Sequence, residues 1–272
     1  MIVRLTGGLG NQMFQYAFGL SMALERNEKL YVDTFSYVRD RKRRYELGKL
    51  DVNVKKINII KQLKYNLCIF MDVDKNKEIE YENIIFIKQE FKDEKEYYFG
   101  CWQNVAYFKG IKPQLKNMYT YQCQKEGLRK IANRMVQTDS VAIHVRHGDY
   151  EQLDRVYAIL DIQYYMDAME YIRNHIELPQ YYIFSDDIIW CKDKFNGIHN
   201  LYFIQGNSTI EDYWLMLQCK HHVIANSTYS WWPAWLSCEN EWSINIAPQY
   251  WFKDIDTNEN MKRALLREFL VL

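Results

Sequence analysis

The sequence predicts an α/β protein built from two units, each with a parallel sheet covered by helices. Three observations lead to this fold class. A strand, helix, strand pattern stands near the start of the chain, the same rhythm repeats through the second half, and several apolar strands stop abruptly at polar or charged clusters. Because ligands of such sheets bind beyond the carboxyl ends of the strands, these clusters are the first places to look for function. We expect the two units to be joined near residues 125–140.

Composition places the chain among globular proteins and disfavours several classes of function. Of its 272 residues 48% are hydrophobic and 16% aromatic, which suits one large or two modest domains. Lysine and arginine together number 35, as do aspartate and glutamate, so no overall field favours nucleic acid, and we expect no nucleic-acid partner. The six scattered cysteines indicate neither a zinc site nor a disulfide framework. Since neither a signal peptide nor a membrane-spanning run stands out, we expect a cytoplasmic protein.

The first strand, helix, strand unit lies at the start of the chain. Ile2–Leu5 reads as a buried strand, the glycine-rich turn at 7–12 leads into a helix, and Leu30–Val32 reads as the next strand. Asp33 at the end of that strand suits a dinucleotide-binding unit, but Met13 stands where the third glycine of that pattern is needed. A dinucleotide-dependent oxidoreductase is therefore a minor alternative, and we expect the turn to present backbone and amide groups to a polar ligand.

Three other stretches of the first half have both a structural and a functional interpretation. The charge run Arg39–Arg44 is a solvated loop or a contact with an anionic membrane. Asp72-Val73-Asp74 resembles a carboxylate pair that binds a metal–nucleotide, but its surroundings favour a polar surface segment, and we expect no metal site. The aromatic stretch Tyr98–Gln103 is explained by core packing, or by stacking against sugars in a non-catalytic glycan-binding protein.

The second half alternates between strands and helices. The pattern predicts an amphipathic helix within 119–138, strands at 141–145, 181–184, 201–204, 222–225 and 243–246, and helices marked by 165–176 and by the capping box Ser208–Glu211. The second of these strands ends in Ser185-Asp186-Asp187. Alternation of this kind is typical of a parallel sheet with helices on both faces.

The strand at 141–145 ends in the sharpest charge cluster of the chain, His144-Val145-Arg146-His147-Gly148-Asp149. Arginine stays protonated and offers a planar fork of donors, so Arg146 at a strand end suits a phosphate or carboxylate ligand. The simpler interpretation is an ion pair between Arg146 and Asp149, with His144 as a hydrogen-bonded core residue.

A second polar cluster, Asn226-Ser227-Thr228-Tyr229-Ser230, follows the strand at 222–225. Because Pro233 is tolerated in the first turn of a helix, we expect a helix to begin near Ser230. Hydroxyls and backbone N–H groups at such a helix start bind pyrophosphate well. An ordinary capped helix with a tryptophan-rich core face would explain the same residues without a ligand.

The order and spacing of five motifs resemble those of glycosyltransferase family 11, the bacterial and animal α-1,2-fucosyltransferases. The motifs are Gly7-Gly8-Leu9-Gly10-Asn11-Gln12-Met13, Gly100-Cys101-Trp102-Gln103, His144-Val145-Arg146-His147-Gly148-Asp149-Tyr150, Ser185-Asp186-Asp187 and Asn226-Ser227-Thr228-Tyr229-Ser230-Trp231-Trp232. The resemblance spans nearly the whole chain. One position departs from the family pattern, because His147 stands where the family usually has a second arginine.

The resemblance implies a GT-B architecture, in which two Rossmann-like domains face a cleft. It implies an acceptor-side domain at 1–135, a GDP-fucose-binding domain at 136–256 and a C-terminal helix at 257–272. The implied reaction is inverting, metal-independent transfer of L-fucose from GDP-fucose, without a further cofactor, to a galactose-containing acceptor glycan such as a surface polysaccharide or O-antigen. A GDP-fucose transferase of another linkage would show the same donor motifs.

The resemblance also assigns roles to individual residues. Arg146 would hold the GDP phosphates, and Asn11 and Gln12 would line the cleft near the acceptor or the β-phosphate. Asp186 would lie near the nucleoside, and His222 near its guanine side. The expected phosphate-binding group is Asn226, Ser227, Thr228 and Ser230. For the general base the motif position favours Asp149, with Asp154, Glu151 and His144 as alternatives.

Overall fold

The computed structural model describes residues 1–71, 87–90, 96–148, 157–237 and 242–272. It divides into two compact units, Met1–Thr120 and Tyr121–Leu272. We predicted this boundary at residue 135, which lies further along the chain, inside the amphipathic helix Glu126–Gln137. Leu128 and Met135 of that helix pack on a core cluster of the second unit, so the helix lies with the strands that follow it.

The first unit contains a four-stranded sheet in the order β2-β1-β4-β3. Strand β1 pairs in parallel with β2 and β4, whereas β3 runs antiparallel to β4. Its elements are β1 (Ile2–Arg4), α1 (Leu9–Glu25), β2 (Tyr31–Asp33), α2 (Ser36–Arg39), α3 (Ile59–Met71), β3 (Ile87–Glu90), β4 (Glu96–Phe99) and α4 (Lys112–Met118), with short 3₁₀ turns at Leu47–Lys49, Val105–Tyr107 and Lys109–Ile111.

The predicted strand, helix, strand unit at the start of the chain is confirmed, and glycine allows it to pack closely. A Cβ atom at Gly19 of α1 would lie 2.7 Å from Cγ2 of Val3 and 2.8 Å from Cδ1 of Leu30. Only a residue without a side chain fits there, so Gly19 supplies the close helix–strand contact for which Met13 is unsuited.

The second unit contains a six-stranded sheet in the order β10-β9-β8-β5-β6-β7, with parallel pairing throughout. Its elements are α5 (Glu126–Gln137), β5 (Ser140–Val145), α6 (Ile162–His175), β6 (Gln180–Ser185), α7 (Ile188–Lys194), β7 (Leu201–Ile204), α8 (Thr209–Met216), β8 (His221–Val223), α9 (Thr228–Ser237), β9 (Asn245–Ala247), α10 (Ile255–Leu265) and β10 (Leu270–Val271). The α/β class with two Rossmann-like units is thus confirmed.

Apolar side chains cover both faces of this second sheet. Val141, Ile143 and Val145 of β5 join one core cluster, whereas Ala142 between them joins the other. Successive side chains of a strand point to opposite faces, so β5 is buried on both sides. The apolar residues Val141–Ile143 and Val145 therefore suit the central place of β5 in the sheet.

Two element boundaries differ from the prediction. Helix α9 begins at Thr228, which leaves Pro233 inside the helix rather than in its first turn. The end of the chain was predicted as a helix at 257–272, but α10 ends at Leu265 and β10 then pairs in parallel with β9. The backbone N–H of Leu272 donates to the carbonyl of Ala247, so the terminus extends the sheet.

Candidate functional site

The strand order of the second unit defines a crevice at one edge of the sheet. Strand β5 comes first in the chain, β6 and β7 lie on one side of it, and β8, β9 and β10 lie on the other. At such a reversal the connections leave β5 and β8 in opposite directions, and a space opens beyond their carboxyl ends. The His144–His147 segment forms the end of β5 and the turn after it, and the Asn226–Ser230 segment follows β8. The two polar clusters that the sequence singled out therefore lie beside one another.

Arg146 leaves the end of β5 and is held by the next strand. Its guanidinium Nη1 lies 3.3 Å from Oδ2 of Asp186 at the end of β6, and both side chains are only partly exposed. The other carboxylate oxygen of Asp186 accepts a hydrogen bond of 3.0 Å from the backbone N–H of His147. Asp186 thus orients both the arginine and the loop that carries it. The sequence also allowed an ion pair between Arg146 and Asp149, and Asp149 lies outside the described residues.

His147 is fixed by the neighbouring carboxylate. Its Nδ1 lies 3.1 Å from Oδ2 of Asp187, and its ring stacks on Trp190 with centroids 4.5 Å apart. Asp187 also caps α7 by accepting the backbone N–H of Trp190, and this bond, with help from His147, holds the pKa of Asp187 below its ordinary value. His147 is therefore held in place between the carboxylate of Asp187 and the ring of Trp190.

His144 is buried, and it links β5 to α9. Its Nδ1 lies 2.8 Å from Oγ of Ser230, and its ring meets the edge of Tyr229 at 5.5 Å between centroids. Burial, assisted by the nearby positive charge of Arg146, lowers the pKa of His144 to about 3. A histidine with so low a pKa is a weak proton acceptor, which argues against His144 as the general base. Ser230 is 1% exposed and faces His144, so its hydroxyl positions the helix instead of reaching a phosphate.

We expect the stability of the protein to fall as the pH drops below about 6.5, because three buried histidines must then be protonated on unfolding. Burial lowers the pKa of His144 to about 3 and that of His221 and His222 to about 4. The unfolded chain therefore binds more protons between these values and the ordinary histidine pKa, and unfolding becomes easier. The expected loss is roughly 1 kcal/mol per histidine between about pH 6.5 and about pH 5.5.

Urea unfolding at a series of pH values measures this loss. The variant His222→Gln should lose about 1 kcal/mol of the wild-type dependence, and His199→Gln, which changes an exposed histidine, is the control. An unfolding free energy that stays constant over this pH range would contradict the assignment of buried neutral histidines.

The start of α9 contributes two partly exposed hydroxyl residues to the crevice. Ser227 precedes the helix, and its Oγ accepts the backbone N–H of Tyr229 at 3.3 Å. Thr228 is the first helical residue. Asn226 is buried, and its amide nitrogen donates to the carbonyl groups of Ala158 and Trp251 at 2.8 and 3.0 Å, which ties down two further loops. Of the predicted phosphate group, Ser227 and Thr228 are therefore the members that remain suited to a ligand.

His222 belongs to the core, which differs from its expected place beside the nucleoside. It is 1% exposed, its Nε2 donates to the carbonyl of Met216 at 2.9 Å, and its Nδ1 faces Asn245 at 2.9 Å. Both ring nitrogens thus have partners within the protein. The three tryptophans of α9 are also core residues, as the simpler interpretation of that segment predicted.

In the first unit, Asn11 lies over the glycine turn. Gly7 has a φ of +74°, and a Cβ there would lie 2.7 Å from Nδ2 of Asn11, so the turn needs glycine for two reasons. The Oδ1 atom of Asn11 accepts a hydrogen bond of 3.2 Å from Nε2 of Gln103. Arg43 also reaches this turn, since its Nη1 would lie 3.9 Å from a Cβ at Gly8. The turn therefore brings together amide and cationic groups that a polar ligand could meet.

Gln12, by contrast, serves the fold. It is fully buried, its Oε1 accepts the backbone N–H groups of Glu46 and Leu47, and its Nε2 donates to the carbonyls of Gly7 and Arg44. With all of these bonds made, the side chain cannot also line a cleft. Gln12 instead attaches the cationic segment to the glycine turn.

Asp33 is equally engaged. It is fully buried, and its carboxylate accepts hydrogen bonds from the backbone of Phe35, the amide of Asn66 and the hydroxyl of Tyr97 at 2.6 to 2.8 Å. A ribose hydroxyl would have to displace these donors. The dinucleotide alternative thereby loses the residue on which it depended. The aromatic stretch is also a core feature, because Trp102 is buried and stacks on Phe18 at 3.7 Å.

Asp212 is a candidate that our sequence analysis missed. It lies in the first turn of α8, and burial raises its pKa to about 6. Asn207 donates to it at 2.9 Å, but no cation pairs with it among the described residues. The next residue, Tyr213, approaches Tyr229, which in turn touches His144. Because a buried carboxylate with a raised pKa is typical of functional sites, Asp212 is a candidate ligand-binding residue. In the sequence it resembles an ordinary acidic residue behind the capping Glu211.

Some predicted residues lie outside the described part of the chain. These are the base candidates Asp149, Glu151 and Asp154 and the pair Asp72 and Asp74. Within the described ranges no group of three or more histidine, cysteine, aspartate or glutamate side chains could hold a metal ion. No helix there is both long and apolar enough to cross a membrane.

Comparison with known proteins adds an independent line of evidence. The family model "Glycosyl transferase family 11" matches residues 1–269. The chain is 32% identical over 279 residues to an alpha-1,2-colitosyltransferase of Escherichia coli, which covers 95% of this chain and 94% of that protein. It is 28% identical over 297 residues to the O-antigen biosynthesis glycosyltransferase WbnK of Escherichia coli, with 91% and 93% covered.

A shorter match involves an animal enzyme. Over 104 residues the chain is 32% identical to the galactoside 2-alpha-L-fucosyltransferase SEC1 of Bos taurus, which covers 36% of this chain and 28% of that protein. The five ordered motifs, the paired clusters at the β5–β8 crevice and the family model agree over almost the full length. The chain therefore belongs to glycosyl transferase family 11.

Proposed function

We propose that the protein is an inverting, metal-independent α-1,2-fucosyltransferase that moves L-fucose from GDP-fucose to the 2-OH of a terminal galactose. The observation that carries this proposal is the position of Arg146. It extends from β5 at the strand-order reversal, is oriented by Asp186, and lies in the same crevice as the start of α9. A fixed cation and a helix N-terminus are groups that stabilise the charge of a departing diphosphate.

The reaction needs a base as well as a stabilised leaving group. The base takes the proton of the acceptor hydroxyl, the hydroxyl oxygen attacks C1 of fucose from the face opposite GDP, and the bond from C1 to the β-phosphate oxygen breaks. The electron pair of that bond leaves with GDP, and inversion follows. We assign the base to Asp149, with Asp154 as the next choice, from their places in the motif. The low pKa of His144 supports a carboxylate instead of this imidazole.

The order of strands suggests how the nucleotide lies. In a sheet of this order the diphosphate binds at the first strand, the ribose beside the second, and the base further along the same edge. In this chain these places correspond to Arg146 on β5, the Asp186–Asp187 pair after β6, and Asp212 after β7. Guanine presents its N1–H and its amino group side by side, and a carboxylate can accept both. Asp212 is therefore our proposed guanine-reading residue.

We place the acceptor among surface polysaccharides, in particular O-antigen precursors. The name of the Escherichia coli relative WbnK supports this class. Such precursors are assembled on lipid carriers, so an enzyme that modifies them works close to a membrane. The exposed cationic run Arg39–Arg44 would favour peripheral contact with the anionic inner membrane.

A colitosyltransferase is the second candidate, because the colitosyl relative matches 95% of the chain. Colitose is L-fucose without its 3-hydroxyl, so both donors could share the guanine, ribose and phosphate contacts. Discrimination would rest on one hydroxyl of the sugar. A site that hydrogen-bonds this hydroxyl rejects the deoxy sugar strongly, whereas an apolar site discriminates weakly.

A transfer assay with both donors tests these proposals. We expect the purified protein to transfer fucose from GDP-fucose to lactose in the presence of EDTA, and NMR of the product to show an α-1,2 bond. Another linkage would refute the acceptor position, loss of activity with EDTA would refute metal independence, and a clear preference for GDP-colitose would reassign the donor.

Asp149→Asn should lower kcat by about two to four orders of magnitude while GDP binding persists. If only Asp154→Asn does so, the base is Asp154.

A further inference from the structure

Helix α3 of the first unit carries apolar side chains on its outer surface. Ile59, Ile60, Leu63 and Leu67 are between 51% and 74% exposed. At 3.6 residues per turn these four positions occupy an arc of only about 100° of the helix surface. They therefore form one continuous stripe, here called the α3 stripe.

The orientation of α3 is the reverse of that in an ordinary amphipathic helix. Its inner face carries Gln62, Tyr65 and Asn66. Gln62 donates to the carbonyl of Ile57 at 2.8 Å, and Asn66 donates to the buried carboxylate of Asp33 at 2.8 Å. These bonds fix the polar side inward and leave the aliphatic side outward. A surface helix normally buries its apolar side, so the α3 stripe indicates a partner that is itself apolar.

Positive charge is concentrated in the part of the chain that contains the α3 stripe. The helix contains Lys61 and Lys64 and no acidic residue. In the segment 39–67 there are ten lysines and arginines against three acidic residues, an excess of seven positive charges in a chain whose net charge is zero. An apolar protein partner would require no such excess, whereas the surface of an anionic lipid bilayer is complementary to it.

The cationic segments are neighbours in the first unit. Lys56 lies three residues before the start of α3, pairs with Val32 at the edge of the sheet, and places its Nζ 4.0 Å from the ring centroid of Tyr45. Tyr45 directly follows the run Arg39–Arg44. The end of the run and Lys56 therefore meet at Tyr45, and the chain continues from Lys56 into α3, whereas Arg43 turns toward Gly8.

We propose that α3 is an interfacial helix that inserts the α3 stripe into an anionic membrane, while the surrounding lysines and arginines bind lipid headgroups. Ile59, Ile60, Leu63 and Leu67 would lie below the headgroups, and Lys61 and Lys64 at their level. This inference extends the membrane contact suggested for Arg39–Arg44 by naming the element that enters the bilayer. It makes no use of the transfer chemistry.

Flotation of the full chain with vesicles tests the proposal. We expect binding to vesicles of phosphatidylethanolamine and phosphatidylglycerol, and little binding to vesicles of phosphatidylcholine alone. The triple variant Ile60→Gln, Leu63→Gln, Leu67→Gln should weaken binding by at least about tenfold. Lys61→Gln with Lys64→Gln should weaken it by about fivefold for each lysine. The lysine double variant should in addition make vesicle binding less sensitive to salt, whereas the aliphatic triple variant should not.

A matched control changes three equally exposed aliphatic residues in the second unit. These are Val136, Ile189 and Ile255, each replaced by glutamine. The control should bind vesicles like the wild type, and circular dichroism with thermal unfolding should show that both triple variants are folded. Equal binding by the α3 variant and the wild type would overturn the proposal. So would a wild-type dimer that the α3 variant abolishes without any change in vesicle binding. Transfer to soluble lactose should persist in the α3 variant, which separates this test from that of the proposed reaction.

Discussion

Arg146→Ala should abolish the stabilisation of the protein by GDP and lower fucosyl transfer by about two to three orders of magnitude. For the wild type, GDP at about a hundredfold excess over its dissociation constant should add roughly 2.7 kcal/mol to the free energy of unfolding. The reason is that Arg146 is the cation that the carboxyl end of β5 directs into the crevice, with its orientation set by Asp186. Arg146→Lys keeps the charge but loses the planar fork, so we expect an intermediate result.

Thermal unfolding with GDP, GDP-fucose and NAD, each with and without EDTA, measures the effect. Arg129→Ala, which removes an exposed arginine from α5, should respond to GDP like the wild type. Stabilisation of the wild type by NAD and not by GDP would overturn the assignment. Persistent GDP stabilisation in Arg146→Ala would move the phosphate site elsewhere in the protein.

Asp212→Asn should remove the preference of the protein for guanine nucleotides. A hydrogen bond to a charged group contributes about 1.5 to 3 kcal/mol, so GDP affinity should fall by roughly ten- to a hundredfold. Inosine diphosphate lacks the amino group of guanine, and its affinity should change less. Because the pKa of Asp212 is raised to about 6 and the ionised form would accept guanine, wild-type GDP affinity should also decline as the pH falls below about 6.

Isothermal titration with GDP, inosine diphosphate and UDP gives the comparison. Asp193→Asn is the matched control, because Asp193 is an exposed carboxylate on α7. If Asp212→Asn weakens GDP and inosine diphosphate equally, the residue does not read the amino group. If GDP affinity is unchanged, the base of the nucleotide lies elsewhere along the edge.

Much of the second unit could be predicted from the sequence, because its signals are local. The strand at 201–204 and the capping box before α8 are where the pattern predicted them. The Arg146 cluster and the Asn226–Ser230 cluster were expected at strand ends of one sheet, and this too is confirmed. Boundaries shifted where a tertiary contact outweighed a local preference, as at Pro233 inside the tryptophan-packed helix α9.

The site residues were harder to predict, for a physical reason. Gln12, Ser230 and His222 have side chains that suit a ligand, yet each satisfies its hydrogen bonds inside the protein. The partners lie between 3 and 86 residues away in the chain, so no single local pattern distinguishes an internal bond from a bond to a ligand. Asp212 presents the opposite case, because the burial that raises its pKa exists only in the folded protein and has no local sequence signal.

The bond between His144 and Ser230 also bears on how the protein is made. The two residues are 86 positions apart, and in the described part of the chain three helices and three strands lie between them. Contacts of such long separation form late in folding, because the loop between them must close first. During synthesis β5 leaves the ribosome well before β8 and α9. We therefore expect a nascent chain to have no affinity for the donor until its last third has been translated, so nucleotide binding would report completion of the second unit.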